Sequence, residues 1–189
     1  MKHTSIRELF DYWNERRGRR PAPDRADIEP AAIRRVLADT FILSFDLRAG
    51  HPFRIAGTRV CALFGRELKG DAFLDLWSTA SRKDMRDLVA IVAHESVGLV
   101  AGASAASAAG AALNLELLVL PLGFHGQADA RVLGALAPSE PWLGTGALRG
   151  LRLETHRYLG PAVHPVPRAV APRDGRVRHG FLVYDGGQS

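Results

Sequence analysis

A chain of 189 residues suggests one domain with extensions, and it is long enough to bury roughly 70% of its unfolded surface. Its hydrophobic fraction of 47% and charged fraction of 24% are those of a soluble globular protein, and a single cysteine excludes an intrachain disulfide framework and fits a reducing cytoplasm. The net charge is +5, carried almost wholly by arginine, which raises nucleic acid as a partner. No recognised nucleic-acid motif accompanies that charge, and arginines of the central chain alternate with acids, as in "RKDMRD". The concentrations at Arg16 to Arg20 and at Arg168, Arg173, Arg176 and Arg178 therefore do not outweigh the reading against nucleic acid.

The first twenty residues lack an apolar signal core, so no secretion leader is expected. Ser5 to Arg17 reads as an amphipathic helix, with Ile6, Leu9, Phe10 and Trp13 at i, i+3, i+4 and i+7. Thr4 or Ser5 is the expected cap, Glu8 stands at the capping-box position after Ser5, and Gly18 ends the helix. The proline-bounded connector "PAPDRADIEP" follows, with Asp27 as the expected cap of a short helix from Glu29 to Leu37. Thr40 to Leu47 and Phe53 to Arg59 read as two strands of a hairpin around "RAGHP". The period then changes: Val60, Leu63 and Phe64 are helix-spaced, Gly65 is a stop, and Ala72 to Trp77 is another short helical piece.

Ser81 opens a longer helix with Met85, Leu88, Val89 and Val92 inward, closed by Gly98. Three strand-like runs follow: Leu99 to Ala108, Ala112 to Leu122 and Arg131 to Pro138. The alanine-rich run has helical propensity, but Gly102 and Gly110 punctuate it and Leu113, Leu115 and Leu117 then alternate, which favours strand. The region from Val97 to Ala112 is too rich in Ala, Gly and Ser for a membrane span. Leu151 to Leu159 is compatible with a further strand or a short helix. From Pro161 the chain holds four prolines and several arginines and reads as a mobile tail, with the apolar island "GFLVYDGG" near its end.

Strand, strand, short helices, one longer helix and three strands make an α+β order around an antiparallel sheet. The wording of the chain resembles a PAS-like family of bacterial proteins long carried as a domain of unknown function. The resemblance rests on Tyr12-Trp13, "P-x-R-x-D-I-x-P" from Pro23 to Pro30, "R-x-x-G-T" from Arg54 to Thr58, "F-G-R-E-L-x-G" from Phe64 to Gly70, and Leu76-Trp77, spread over roughly the first 140 residues. It implies a PAS-like five-stranded antiparallel sheet at 39–140, with short helices and one longer helix on one side. The N-terminal helical extension is then 1–38 and the C-terminal extension 141–189. It also implies a non-enzymatic sensory or adaptor module in the cytoplasm, acting through a signalling partner, with a small ligand as an optional input. The candidate ligand contacts are Arg54, Phe64, Trp77, Leu88, Val92 and Leu117. Ile6, Leu9, Phe10 and Trp13 are the candidate interface of a homodimer.

The motifs of chemistry are missing. "GTRVCALFG" lacks the spacing and the Lys-Ser/Thr of a P-loop. Cys61 has none of the sequence that surrounds the cysteine of flavin-binding photosensor PAS domains, and reads as a small core residue. No two of the seven histidines have helical metal-pair spacing. His94 sits where haem-binding PAS domains place an axial ligand, yet off the helix's apolar stripe, so a surface histidine is expected and no cofactor or metal is. There is no G-x-S-x-G and no H-E-x-x-H. Asn114 and Glu116 alternate with leucines and read as the solvent side of a sheet. Trp13, Trp77 and Trp142 are expected core or interface anchors, with Trp77 a candidate cavity wall.

Overall fold

The computed structural model describes residues 1–107, 110, 112–123, 131–141, 147–160, 176–178 and 181–183. Met1–Leu159 forms one compact unit and Gly160–Ser189 another. In the second unit Arg176–Arg178 pairs antiparallel with Phe181–Val183. The remaining tail residues, Trp142, His125, His164, His179, Arg168 and Arg173 lie outside the described residues.

The first unit begins with helix α1 (Thr4–Arg17). Strands β1 (Thr40–Ser44) and β2 (Phe53–Ala56) follow, then helices α2 (Thr58–Phe64) and α3 (Thr79–Glu95). Strands β3 (Gly98–Ser107), β4 (Ala112–Pro121), β5 (Arg131–Pro138) and β6 (Leu148–Leu159) complete it. The strands form one sheet in the order β2-β1-β5-β4-β3-β6. All neighbours run antiparallel. The α+β architecture is therefore as expected, but the sheet has six strands and not five. β6 is the sixth, and its pairing with β3 carries two register irregularities, with Gly150 at φ +59°. Those breaks scramble the alternation that would have marked it as a strand.

Other boundaries moved for local reasons. β2 stops at Ala56, three residues early, because Gly57 already caps α2. A Cβ built on Gly57 would collide with the carbonyl oxygens of Leu37 and Ala38, so only glycine fits this corner. Gly65 does end α2, in the left-handed region at φ +64°. α1 is capped not by Thr4 or Ser5 but by His3, whose Nδ1 accepts the Ser5 backbone N–H at 3.2 Å. α3 runs from Thr79 and turns off at Ser96, φ +53°. The expected helix from Glu29 to Leu37 is a run of turns ending in a 3-10 turn at Leu37–Asp39. Asp27 acts as the third residue of a capping box whose first is Asp24.

Alternation along the strands sends side chains to two cores. The inner face, with α2 and α3, packs Phe41, Phe53, Phe73, Trp77, Met85, Leu99 and Leu117 among others. The outer face, with α1, packs Ile6, Leu9 and Trp13 on Ile42, Leu118, Leu120, Leu133 and Ala135. Ile6 and Leu9 are fully buried, each worth roughly 1.5–3 kcal/mol. The Trp13 indole N–H also donates to Pro121 O at 2.8 Å. The short and long helices thus lie on one side of the sheet, and α1 covers the other.

Candidate functional site

Five of the six candidate ligand contacts meet in the layer between the sheet and α2/α3. Phe64 comes from α2, Leu88 and Val92 from α3, Leu117 from β4, and Trp77 from the turn ahead of α3. Helical spacing on α3 and strand alternation on β4 bring them to a common layer. Arg54 does not join them; it is exposed on β2. An aromatic chain crosses this layer: Phe41 stacks with Phe73 at 5.7 Å, Phe53 meets both ring edges, and Phe73 meets Trp77 at 5.9 Å.

Two of the buried side-chain atoms without partners are ring nitrogens in or beside this apolar layer. The Trp77 Nε1 is buried without an acceptor. His51, in the β1–β2 turn at φ +60°, is fully buried and stacks on Phe45 at 5.2 Å. Its Nδ1 accepts the Asp46 N–H at 3.2 Å, which leaves the proton of the neutral ring on a partnerless Nε2. Desolvation lowers the His51 pKa to about 4, helped by Arg86 and opposed by Asp46, so the ring is neutral near pH 7. Nothing in the sequence marked His51, because a histidine in a turn normally faces solvent. His94, by contrast, is exposed and touches only the edge of Phe45, at 5.3 Å.

A second polar centre lies at one end of the sheet. Asp39 is buried and accepts the Ser5 hydroxyl at 2.5 Å and two bonds from the Arg59 guanidinium at 2.6 and 2.7 Å. Burial raises the Asp39 pKa, but the Arg59 and Ser5 hydrogen bonds outweigh it and the net shift is downward. His3, Ser5, Asp39 and Arg59 line a cleft of about 540 Å³ bounded by Pro138 and Glu140. The residue types of a hydrolytic triad are present, but their bonds run otherwise. The serine hydroxyl donates to the aspartate, and the His3 Nδ1 is spent on a backbone N–H. No nucleophile–base pair results from these three.

Glu116 corrects another expectation. It does not face solvent freely: its carboxylate accepts the backbone N–H groups of Lys2 and His3 at 2.8 to 2.9 Å and so holds the start of α1 to β4. The arginines near Gly18 also have local uses. Arg16 lies over the Tyr12 ring and pairs with Glu29, Arg17 lies over Trp13, and Arg20 pairs with Asp24 and Asp27. Cys61 is buried, with its Sγ 3.7 Å from Glu67 Oε2. Past the end of α2, Arg66 pairs with Asp71 across the turn. Among the candidate interface residues, Ile6, Leu9 and Trp13 are consumed by the chain's own sheet, and only Phe10 keeps partial exposure.

Among the described residues no group of three or more His, Cys, Asp or Glu is placed to hold a metal ion. No helix among them is long and apolar enough to cross a membrane.

The strand order, with α2 and α3 packed on one face, defines a PAS-type sensory fold. The family model described as PAS domain matches residues 1–137, and the chain belongs to that family. No curated protein and no solved structure matches it significantly.

Proposed function

We propose that the chain is a non-enzymatic sensory adaptor that passes a signal to another protein, with a small hydrogen-bond-accepting ligand held between the sheet and α3. Membership of the PAS domain family supports a sensory or signalling role. The observations that carry the ligand are two buried N–H groups without acceptors: Trp77 Nε1, in the layer of Phe64, Leu88, Val92 and Leu117, and His51 Nε2, whose ring stacks on Phe45 at the border of that layer. A buried donor without an acceptor costs about 1–3 kcal/mol, and a ligand carbonyl or carboxylate would relieve that cost. Neither haem nor flavin is expected from the sequence, so the protein should be colourless as purified. Any self-association through α1 falls to its outward side around Phe10, since its other three anchors are used inside the chain.

Native mass spectrometry of the purified protein, followed by thermal-shift measurements against aliphatic and aromatic carboxylic acids, tests the ligand. A retained molecule, or a stabilising acid whose effect is lost in Trp77→Phe, is the expected outcome. Robust turnover of any hydrolase or transferase substrate, abolished by one change in the interior, would overturn the adaptor reading.

A further inference from the structure

α1 packs on the β4–β5 side of the outer sheet face, and among the described residues it leaves the β3–β6 side uncovered. Register fixes what stands there. Opposite Val100, Gly102, Ser104 and Ala106 on β3 lie Arg157, Thr155, Arg152 and Arg149 on β6, all on the outer face and all four exposed. The three arginines pair with no carboxylate among the described residues, unlike Arg16, Arg20, Arg59, Arg66 and Arg82.

Among the described residues two carboxylates border this strip: Glu116 is paired with the Met1 ammonium at 3.6 Å, and Glu154, though hydrogen-bonded, keeps its charge and offsets one of the three arginines. Glu154 accepts the Ser104 hydroxyl at 2.5 Å, and Glu116 accepts the N–H groups of Lys2 and His3. A depression of about 290 Å³, lined by Lys2, Gly102, Glu116, Thr155 and Arg157, joins the strip to the start of α1. The shelf is therefore basic with small side chains on its floor, and a partner's backbone can approach it closely.

The edge of β6 is occupied near its middle. The Leu151 C=O already accepts the Ser78 N–H at 2.8 Å, and the Leu153 N–H donates to Ser81 Oγ at 3.0 Å. The start of α3 thus blocks an added strand at Leu151–Leu153, and the exposed arginines direct a partner to the face instead. A second copy meeting it through the same face is disfavoured, because that symmetric contact would bring the same unpaired arginines together.

We infer that this shelf, built from Arg149, Arg152 and Arg157, docks an acidic segment of a partner protein. The inference rests on the adaptor reading in naming a protein, and charge complementarity selects the acidic class.

The test is fluorescence anisotropy at low salt with a labelled peptide alternating Glu and Ala. A peptide alternating Lys and Ala and an oligothymidine serve as comparators. The Glu peptide binds the wild-type chain, and Arg149→Glu/Arg152→Glu/Arg157→Glu weakens it by about tenfold or more, as removal of complementary surface charge does at low salt. The triple variant keeps its melting temperature, because all three side chains are exposed, and gains binding to the Lys peptide. Glu-peptide binding that survives the triple reversal would put the acid-binding surface elsewhere, overturning the shelf and leaving the adaptor reading intact. Absence of Glu-peptide binding also overturns the shelf. Tighter binding of oligothymidine than of the Glu peptide would overturn both.

Discussion

Asp39 shows how one buried carboxylate joins three parts of the chain: the start of α1 through Ser5, the entry to β1, and α2 through Arg59. Removing either partner of such a pair is not equivalent. Arg59 is 57% exposed and can return to water, whereas Asp39 cannot. Arg59→Ala should therefore cost about 2 kcal/mol by leaving a buried charge with one neutral donor, and Asp39→Asn should cost less, about 1 kcal/mol. Urea unfolding at pH 7 measures both, and a larger loss for Asp39→Asn would contradict this account. His51 makes the complementary case. Its folded pKa of about 4 lies below the ordinary 6.5, so the unfolded chain takes up its proton first as pH falls. Stability is then present above pH 6.5 and is lost between there and about pH 4, by up to about 3 kcal/mol. The lowered Asp39 pKa acts only below the ordinary carboxylate value of 3.8, so the two windows separate. His51→Asn tolerates the left-handed backbone and removes the titration. Its stability should change much less than the wild type's between pH 7 and pH 5 in urea titrations, and an unaltered slope would assign the loss to other groups.

At the scale of elements, the junction from β2 into α2 is a corner closed by backbone. Gly57 caps α2, its N–H donates to Thr40 O at 2.8 Å, and its Cα faces the carbonyls of Leu37 and Ala38. Backbone cannot yield as a side-chain tip does, so Gly57→Ala should sit at the upper end of overpacking costs, about 3 kcal/mol. Circular dichroism melts would register it; a variant as stable as the wild type would mean the corner opens freely. Elements with one clean period were legible in the sequence: α1 by its stripe, the inner side of α3, and β4 by its alternating leucines. β6 was not. Only Leu148, Leu151 and Leu159 of its twelve residues are buried, and its irregular register shifts the alternation part-way along. The turns from Glu29 to Val36 kept the buried Ile33 and Val36 that suggested a helix, but lacked continuous α-type bonding. Capping was misplaced at both α1 and α3 because side-chain rules see Ser, Thr and Gly, while His3 and Ser96 took those positions.

Across the whole molecule, the interior layer was legible in part for the same reason that the fold was. Phe64, Trp77, Leu88, Val92 and Leu117 lie on periodic apolar faces, and such faces converge. Arg54 misled because β2 is an edge strand whose middle residues face solvent, and the linear sequence does not reveal which strand is the edge. The role of Glu116 needed the distance between residues 2 and 116 to collapse, which no local pattern encodes. The last expectation concerns whether α1 is an appendage or a wall of the domain. Met1–Leu159 is one compact unit, and α1 is tied to it by its stripe, by the Trp13 bond to Pro121, by Ser5 on Asp39 and by Glu116 on the Lys2 and His3 N–H groups. A helix of fourteen residues is marginal alone, so it should melt with the sheet and not ahead of it. Leu9→Ala/Trp13→Ala removes two buried anchors worth about 2–5 kcal/mol each, less than additive because they share neighbours. At about 2–4 °C per kcal/mol for a chain of this size, the melting temperature should fall by roughly 10 °C or more. In hydrogen exchange on the wild type, the central α1 amides should be protected to nearly the level of β4. If α1 exchanges freely while β4 stays closed, and the double variant melts where the wild type does, the helix is a detachable arm and the outer core stands without it.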